Sequence, residues 1–257
     1  MTASDRLMWI NADRVFYAGL LGSPTMRTLG ALVIYVALDA PIRVSVDGGP
    51  WQAGDVAIVP AYFSHRVACE SRTVIDLLIE PETVALERLP EFMRARAGVV
   101  DALDFSQRVR AMHRHLVSGL ETWHREAIDF DVSVFGHELP ARALDPRIAA
   151  VLNEIKRVPL APIGAEHCAA STQLSYSRFL HLFKLETGIP FRTFRSWKRA
   201  RSLLYYVTGA ENLTDIALNA GYPDSSHFSH SIRQVYGLKP KDIFAGSRKL
   251  AVYSGKI

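Results

Sequence analysis

Apolar residues follow two rhythms along the chain, and the rhythm changes near the middle. From Leu29 to Leu38 they run almost unbroken and are rich in β-branched types, until Asp39-Ala40-Pro41 stops them. Ile42, Val44 and Val46 then alternate strictly, and Asp47-Gly48-Gly49-Pro50 follows as a hairpin turn. Trp51, Gly54-Asp55, the run Val56 to Val59, Pro60 and the run Thr73 to Ile79 continue the pattern of short strands and frequent turns. Such a succession predicts a small sandwich or barrel. Past Pro81 the period lengthens: Phe105, Val109, Met112, Leu116, Leu120 and Trp123 recur every three or four residues with Arg and His between them. That spacing predicts an amphipathic helix over 105–127, whose stripe either packs on the barrel or pairs with a second copy as a homodimer seam.

The stretch from His137 to Arg142, which contains Pro140, reads as a linker, placed at 136–144. From Asp145 onward the pattern is helical. Asp145-Pro146 supplies an N-cap and a proline at the first helical position, and Ile148, Val151, Leu152 and Ile155 form one apolar face. Further helices are predicted at about 165–170, 176–187, 191–207, 213–219 and 224–236. The fold class is therefore α+β, with a β-barrel and helices in residues 1–135 and an all-α domain in 145–250.

The second half repeats itself. Shifted by 49 residues, Ser177-Arg178-Phe179-Leu180-His181-Leu182-Phe183-Lys184 falls on Ser226-His227-Phe228-Ser229-His230-Ser231-Ile232-Arg233, and Gly188 on Gly237. Upstream the shift is 48, matching Ala169 to Ala217 and Leu174 to Tyr222. Each copy, at about 164–187 and 213–236, reads as a short helix, a tight turn and a longer helix. The alanine is small where two helices cross, and Leu174 or Tyr222 anchors the turn. Phe179, Leu182 and Phe183, like Phe228, Ile232 and Val235, mark a buried face. The opposite face carries Ser177, Arg178 and His181 in one copy and Ser226, Ser229 and His230 in the other, donors and acceptors suited to base edges in a major groove. These are two helix-turn-helix units. The long helix between them holds Arg192, Arg195, Lys198, Arg199 and Arg201, and as a rigid spacer it would set the recognition helices about 34 Å apart, with its basic groups near the DNA backbone or, for Arg192 and Arg195, simply solvated.

Charge adds to this picture. Residues 1–140 hold 13 Lys+Arg against 18 Asp+Glu, a balance of −5, while 141–257 hold 17 against 8, a balance of +9. The overall +4 is thus a cancellation, and the basic half is the candidate for a polyanionic partner. Two cysteines, Cys69 and Cys168, make no disulfide framework and point to a reducing compartment. No apolar run is long enough for a membrane span and Met1 to Asp5 has no signal-peptide character, so a soluble, cytoplasmic protein is expected.

Residues from about Gly164 to Phe244 resemble the DNA-binding domain of AraC/XylS-type bacterial transcription regulators. Asp215-Ile216-Ala217, Gly221-Tyr222, Ser226-His227-Phe228 and Gly237-Leu238-Lys239-Pro240 carry the resemblance in the second unit. Ala169, Leu174-Ser175, Phe179-Leu180, Phe183-Lys184 and Gly188 carry it in the first. The resemblance implies a sequence-specific regulator, usually an activator that contacts RNA polymerase, with an N-terminal domain for effector binding or dimerisation. By position it implies DNA contacts from Ser177, Arg178, Leu180 and His181, then Ser225, Ser226, Ser229 and His230, with Lys198 and Arg199 from the spacer. The chain departs from the pattern at His181 and His230, where arginine is frequent. It also has Gln173 for the turn glycine, Gly164 for an N-cap serine or threonine, and Arg199-Ala200-Arg201-Ser202-Leu203 in the spacer, which exchanges large and small positions.

In the first domain Gly54-Asp55-x4-Pro60-x4-His65 resembles the second motif of cupin barrels, which makes the expected barrel cupin-like. No histidine precedes His65, so the earlier metal-ligand set of cupin enzymes is missing, and neither a metal nor another cofactor is expected. Trp51, Tyr62 and His65 are candidate effector-pocket residues, with an ordinary structural role for each as the alternative. Three classes of function follow: a DNA-binding regulator with a possible small-molecule effector, a cupin-type metal enzyme with an appended helical domain, and an interaction protein whose second half docks protein.

Overall fold

The computed structural model describes residues 6–94, 96–119, 128–208, 213–219, 221–247 and 250–254. Its strands are Leu7–Ile10 (β1), Arg14–Leu20 (β2), Arg27–Thr28 (β3), Leu32–Ala37 (β4), Ile42–Val46 (β5), Gln52–Gly54 (β6), Val56–Val59 (β7), Ser64–Cys69 (β8), Thr73–Ile79 (β9), Gly98–Val100 (β10) and Ala251–Ser254 (β11). They form a seven-stranded sheet in the order β10-β7-β4-β9-β2-β1-β11 and a four-stranded sheet in the order β3-β8-β5-β6. The large sheet is covered on both faces, which explains the unbroken apolar run of β4. Ile34, Val36, Ile75 and Leu77 face the helices, while Val33, Tyr35, Val74 and Leu78 face the smaller sheet and its Ile42, Val44 and Val67. This is the expected barrel followed by helices.

The helices are Glu91–Arg94 (α1), Leu103–Ser118 (α2), Phe130–Phe135 (α3), Pro146–Arg157 (α4), Ala165–Ser171 (α5), Tyr176–Thr187 (α6), Phe191–Ser202 (α7), Leu213–Asn219 (α8), Ser225–Tyr236 (α9) and Pro240–Ser247 (α10). Asp145 caps α4 as expected, accepting from the Arg147 amide at 2.9 Å. Three features bear on the sequence reading, and in the first of them α2 takes one of its two expected courses. The apolar stripe of α2 faces the barrel: Phe105, Val109 and Leu116 are buried in one core with Phe130 and Val134 of α3, so it is not a free dimer seam. Leu120 and Trp123, at the far end of the helix expected over 105–127, lie outside the described residues. The linker is pinned, since Leu139 is buried and the Ala85 amide donates to Pro140 O at 2.7 Å.

The third is a larger departure. Strand β11, after the last helix, returns to the barrel and pairs in parallel with β1, Leu7 opposite Ala251 and Ile10 opposite Ser254. The C-terminal end thereby covers an edge that β1 would otherwise expose.

The two halves meet over α7. Glu80 follows β9 and is 0% exposed; its Oε2 accepts from Trp197 Nε1 at 2.9 Å and from Lys198 Nζ at 2.5 Å. Lys198 Nζ also lies 2.5 Å from Glu82 Oε1, and Arg201 Nε lies 2.6 Å from Glu80 Oε1, close enough for an ion pair though poorly aligned for a hydrogen bond. Burial by itself lowers the proton affinity of Lys198, but Glu80 and Glu82 outweigh it and the net shift is upward. At the periphery Lys156 of α4 pairs with Asp13 at 2.6 Å. The Trp197 ring lies so close to Gly30 that a Cβ there would meet its Cγ at 2.3 Å, so only glycine fits.

One inward position of β9 breaks the apolar pattern. Asp76 stands between Tyr17 and Tyr35 in a single cross-strand row, and burial pushes its carboxyl up to about 7 against the opposing pull of Arg27.

Two predictions follow from this architecture. Glu80→Ala leaves Lys198 and Arg201 buried beside a lost anion and lowers stability by about 3–5 kcal/mol. Adding Lys198→Met recovers much of that loss in urea unfolding; strictly additive effects would show that the two residues are not coupled. For Asp76 the raised folded-state pKa means that stability present below about pH 4 is lost as pH rises through 7. Asp76→Asn is therefore more stable than the parent at pH 8 and equal to it near pH 4, and a pH-independent difference contradicts this.

Candidate nucleic-acid interface

Two helix-turn-helix units stand in the second half, built alike. In the first, α5 and α6 are joined by a turn in which the Leu174 amide donates to Ala169 O at 2.9 Å; in the second, α8 leads to α9 and the Tyr222 amide donates to Ala217 O at 3.0 Å. The same hydrogen bond at a shift of 48 residues shows that the repeat is structural. Ala169 and Ala217 are buried where the helices cross, and Phe179 with Phe183, like Phe228 with Ile232, fill the two cores. Gln173 adopts φ +55°, which explains why glycine suits this turn and leaves the first unit with a strained residue.

Both recognition helices begin on a side-chain cap. Ser175 accepts from the Arg178 amide at 3.4 Å, and Asp224 accepts from the amides of Ser226 and His227, each at 2.8 Å. The caps leave the first turns open to solvent. Ser177, Arg178 and His181 are exposed on α6 and Leu180 is half-buried; Ser225, Ser226 and His230 are exposed on α9 and Ser229 is half-buried. Each set lies on one outward face. The sequence reading placed His227 in the motif but not among the DNA contacts; it is exposed, bonds Asp224 Oδ2 through Nδ1 at 2.8 Å, and its amide first and then its ring hold that carboxylate below its usual range. The i, i+3 spacing of Asp224 and His227 was its available signal.

The spacer is unlike the expectation. Helix α7 ends at Ser202, followed by a 3-10 turn at Leu203–Tyr205, and only one of its five basic residues, Arg192, is exposed. Lys198 (8% exposed) and Arg201 (4% exposed) are held by Glu80 and Glu82, so Lys198 does not face a DNA backbone. Arg195 is buried and donates to Ala161 O at 2.6 Å; burial first, then Arg199, lowers it to about 10, which still leaves it charged at neutral pH. Arg199 is half-buried. The physical reason is that α7 packs on three sides at once. The exposed cations around the recognition faces are Arg178, Lys184, Arg192, Arg233, Lys239 and Lys241.

The structure does not gather Trp51, Tyr62 and His65 into a pocket. Trp51 is 45% exposed after the β5 turn, with the Arg43 guanidinium 5.9 Å from its ring centre. His65 is buried and both ring nitrogens are engaged, Nε2 with the Tyr35 hydroxyl at 2.7 Å and Nδ1 with Phe63 O at 3.0 Å. Burial, partly opposed by the Phe63 carbonyl, lowers its pKa to about 4. It is a neutral barrel residue with no ring atom left for a ligand. Tyr62 is half-buried with φ +68° and a hydroxyl without a hydrogen-bond partner. Among the described residues no three His, Cys, Asp or Glu side chains cluster as a metal site would require, and no helix is long and apolar enough to cross a membrane.

Similarity to known proteins falls in two parts. A helix-turn-helix domain family model matches residues 168–246. The invasion protein InvF of Salmonella typhi is 38% identical over 71 residues, 27% of this chain and 33% of that protein. The bifunctional transcriptional activator/DNA repair enzyme Ada of Escherichia coli is 32% identical over 91 residues, 35% of this chain and 26% of that protein. The chain thus spans about a third or less of the length of these relatives. Over the whole fold, ToxT from Vibrio cholerae superposes with a TM-score of 0.56 at 9% identity, covering 91% of this chain and 97% of that one, which shows a shared arrangement of an N-terminal β domain and C-terminal helices. Residues 168–246 of this chain are a helix-turn-helix domain, carried behind a β-barrel.

Proposed function

We propose that this protein is a sequence-specific DNA-binding transcription regulator, acting as an activator in the bacterial cytoplasm. The observation that carries the reading is the pair of matched recognition helices, each with an exposed polar face and flanking exposed cations. Ser177, Arg178, Leu180 and His181 read one major groove and Ser225, Ser226, Ser229 and His230 the next, with Arg199 at the edge of the interface. Residues 1–135 form the sensing or dimerising domain, 136–144 the linker and 145–250 the reading domain. As an activator it would also contact RNA polymerase.

Of the +9 balance in the second half, Lys156, Lys198 and Arg201 are neutralised by the barrel, so the phosphate-facing charge is smaller than composition implies. With four to six phosphate contacts, log K should fall with log salt with a slope of roughly −4 to −5. Retardation of the protein's own upstream DNA across a salt series tests this, and sequence-independent or salt-insensitive binding contradicts it. Arg192→Ala and Arg233→Ala should each reduce the slope by about 1 with little change in sequence preference.

A further inference from the structure

The two helix-turn-helix units are built alike but are capped differently. A shift of 49 places Ser175 on Asp224 and Arg178 on His227. In the first unit Ser175 Oγ accepts the Arg178 amide at 3.4 Å, and the Arg178 side chain is exposed. In the second unit one carboxylate makes three bonds. Asp224 Oδ1 accepts the amides of Ser226 and His227, each at 2.8 Å, and Oδ2 bonds the His227 ring at Nδ1, also at 2.8 Å. A helix cap needs only the first two. The third fixes the orientation of a side chain that is 70% exposed.

The third bond also decides which ring nitrogen carries the proton. The His227 amide first, and then its ring, hold the Asp224 carboxyl below its usual range, so it is ionised and can only accept. Nδ1 is therefore the donor, and in the neutral ring Nε2 is left as an acceptor. Nε2 has no partner among the described residues. His227 stands beside Ser226 and one helical turn before His230, on the side of α9 turned away from the core of Phe228 and Ile232. A phosphate oxygen also only accepts and cannot bond such a nitrogen, and the Asp224 charge next to it adds to the mismatch. What an exposed acceptor on a recognition helix can bond is an amino hydrogen at a base edge, on N6 of adenine or N4 of cytosine, both presented in the major groove.

We propose that His227, its tautomer set by Asp224, is a base-reading residue of the second unit that selects an amino-bearing base, adenine or cytosine, on the strand it contacts. Arg178, at the equivalent place of the first unit, is a donor only and suits the opposite kind of edge, guanine O6 and N7. The two half-sites therefore differ at equivalent positions, and the unequal pair gives the protein one orientation on its site. Asp224 is a positioning residue, since it touches no base and acts through the ring. The inference rests on the DNA reading above and adds to it a residue and a class of base.

Selection of bound duplexes from a random pool by the full chain at pH 8, followed by single-base substitution of the selected site, tests it. The parent should prefer adenine or cytosine over guanine or thymine by about tenfold at one position of the second half-site. His227→Ala should remove the preference at that position and keep the others. Asp224→Asn separates base reading from helix capping. Asparagine caps a helix as well as aspartate does, but with its oxygen on the two amides it turns its amino group towards Nδ1. The ring proton then moves to Nε2, and the preferred base should switch to guanine or thymine while the thermal midpoint falls by no more than about 3 °C. A selected site whose every preference survives His227→Ala overturns the inference and leaves the DNA reading standing. So does an Asp224→Asn protein that keeps the preference for adenine or cytosine. If the parent selects no sequence at all, the DNA reading falls and this inference with it.

Discussion

Everything in this molecule is arranged around Glu80 and the helix it grips. A buried carboxylate that holds Trp197, Lys198 and Arg201 fixes α7 to the end of the barrel. The same helix inserts Phe191 and Phe194 into the core of the first helix-turn-helix unit and Ala200 into the core of the second. One rigid element therefore belongs to three cores. It sets the relation of the two recognition helices to each other and of both to the barrel. Buried ion pairs add little stability compared with apolar packing, but they tolerate almost no misplacement, which suits a contact whose task is to define one orientation.

This changes the meaning of the charge pattern. A −5 half and a +9 half first suggest different external partners, yet part of each charge is the other's partner. Lys198 and Arg201 are separated from Glu80 by more than a hundred positions in the chain, and no local periodicity announces such a pairing. The sequence does carry a weak sign of it. Trp197-Lys198 and Arg201 recur on one face of a helix that carries five basic residues, a pattern equally suited to phosphate contact. Only the location of Glu80 and Glu82 decides between the two.

Local features were the legible ones. Alternation gave β5, the turn residues gave its end, and the shift of 48 to 49 residues gave both helix-turn-helix units with helix limits within a residue or two. The strands Leu7–Ile10 and Arg14–Leu20 went unread because polar residues at Asn11-Ala12-Asp13-Arg14 interrupt a pattern that is buried on both faces. Strand β11 is four residues long and owes its existence to an edge on the opposite end of the chain. His65 was legible as a barrel residue through its motif, whereas the inward place of Asp76 was not, since it is a single polar break in the apolar run of β9.

The proposed function requires two linked units to read two successive grooves from one face of DNA. Hydroxyl-radical footprinting on a bound upstream fragment addresses it most directly. Two protected patches are predicted, centred about 10 base pairs apart on one face. Ser177→Ala/His181→Ala should erase one patch and Ser226→Ala/His230→Ala the other. A single patch, or two patches that fade together whichever unit is altered, would contradict the account.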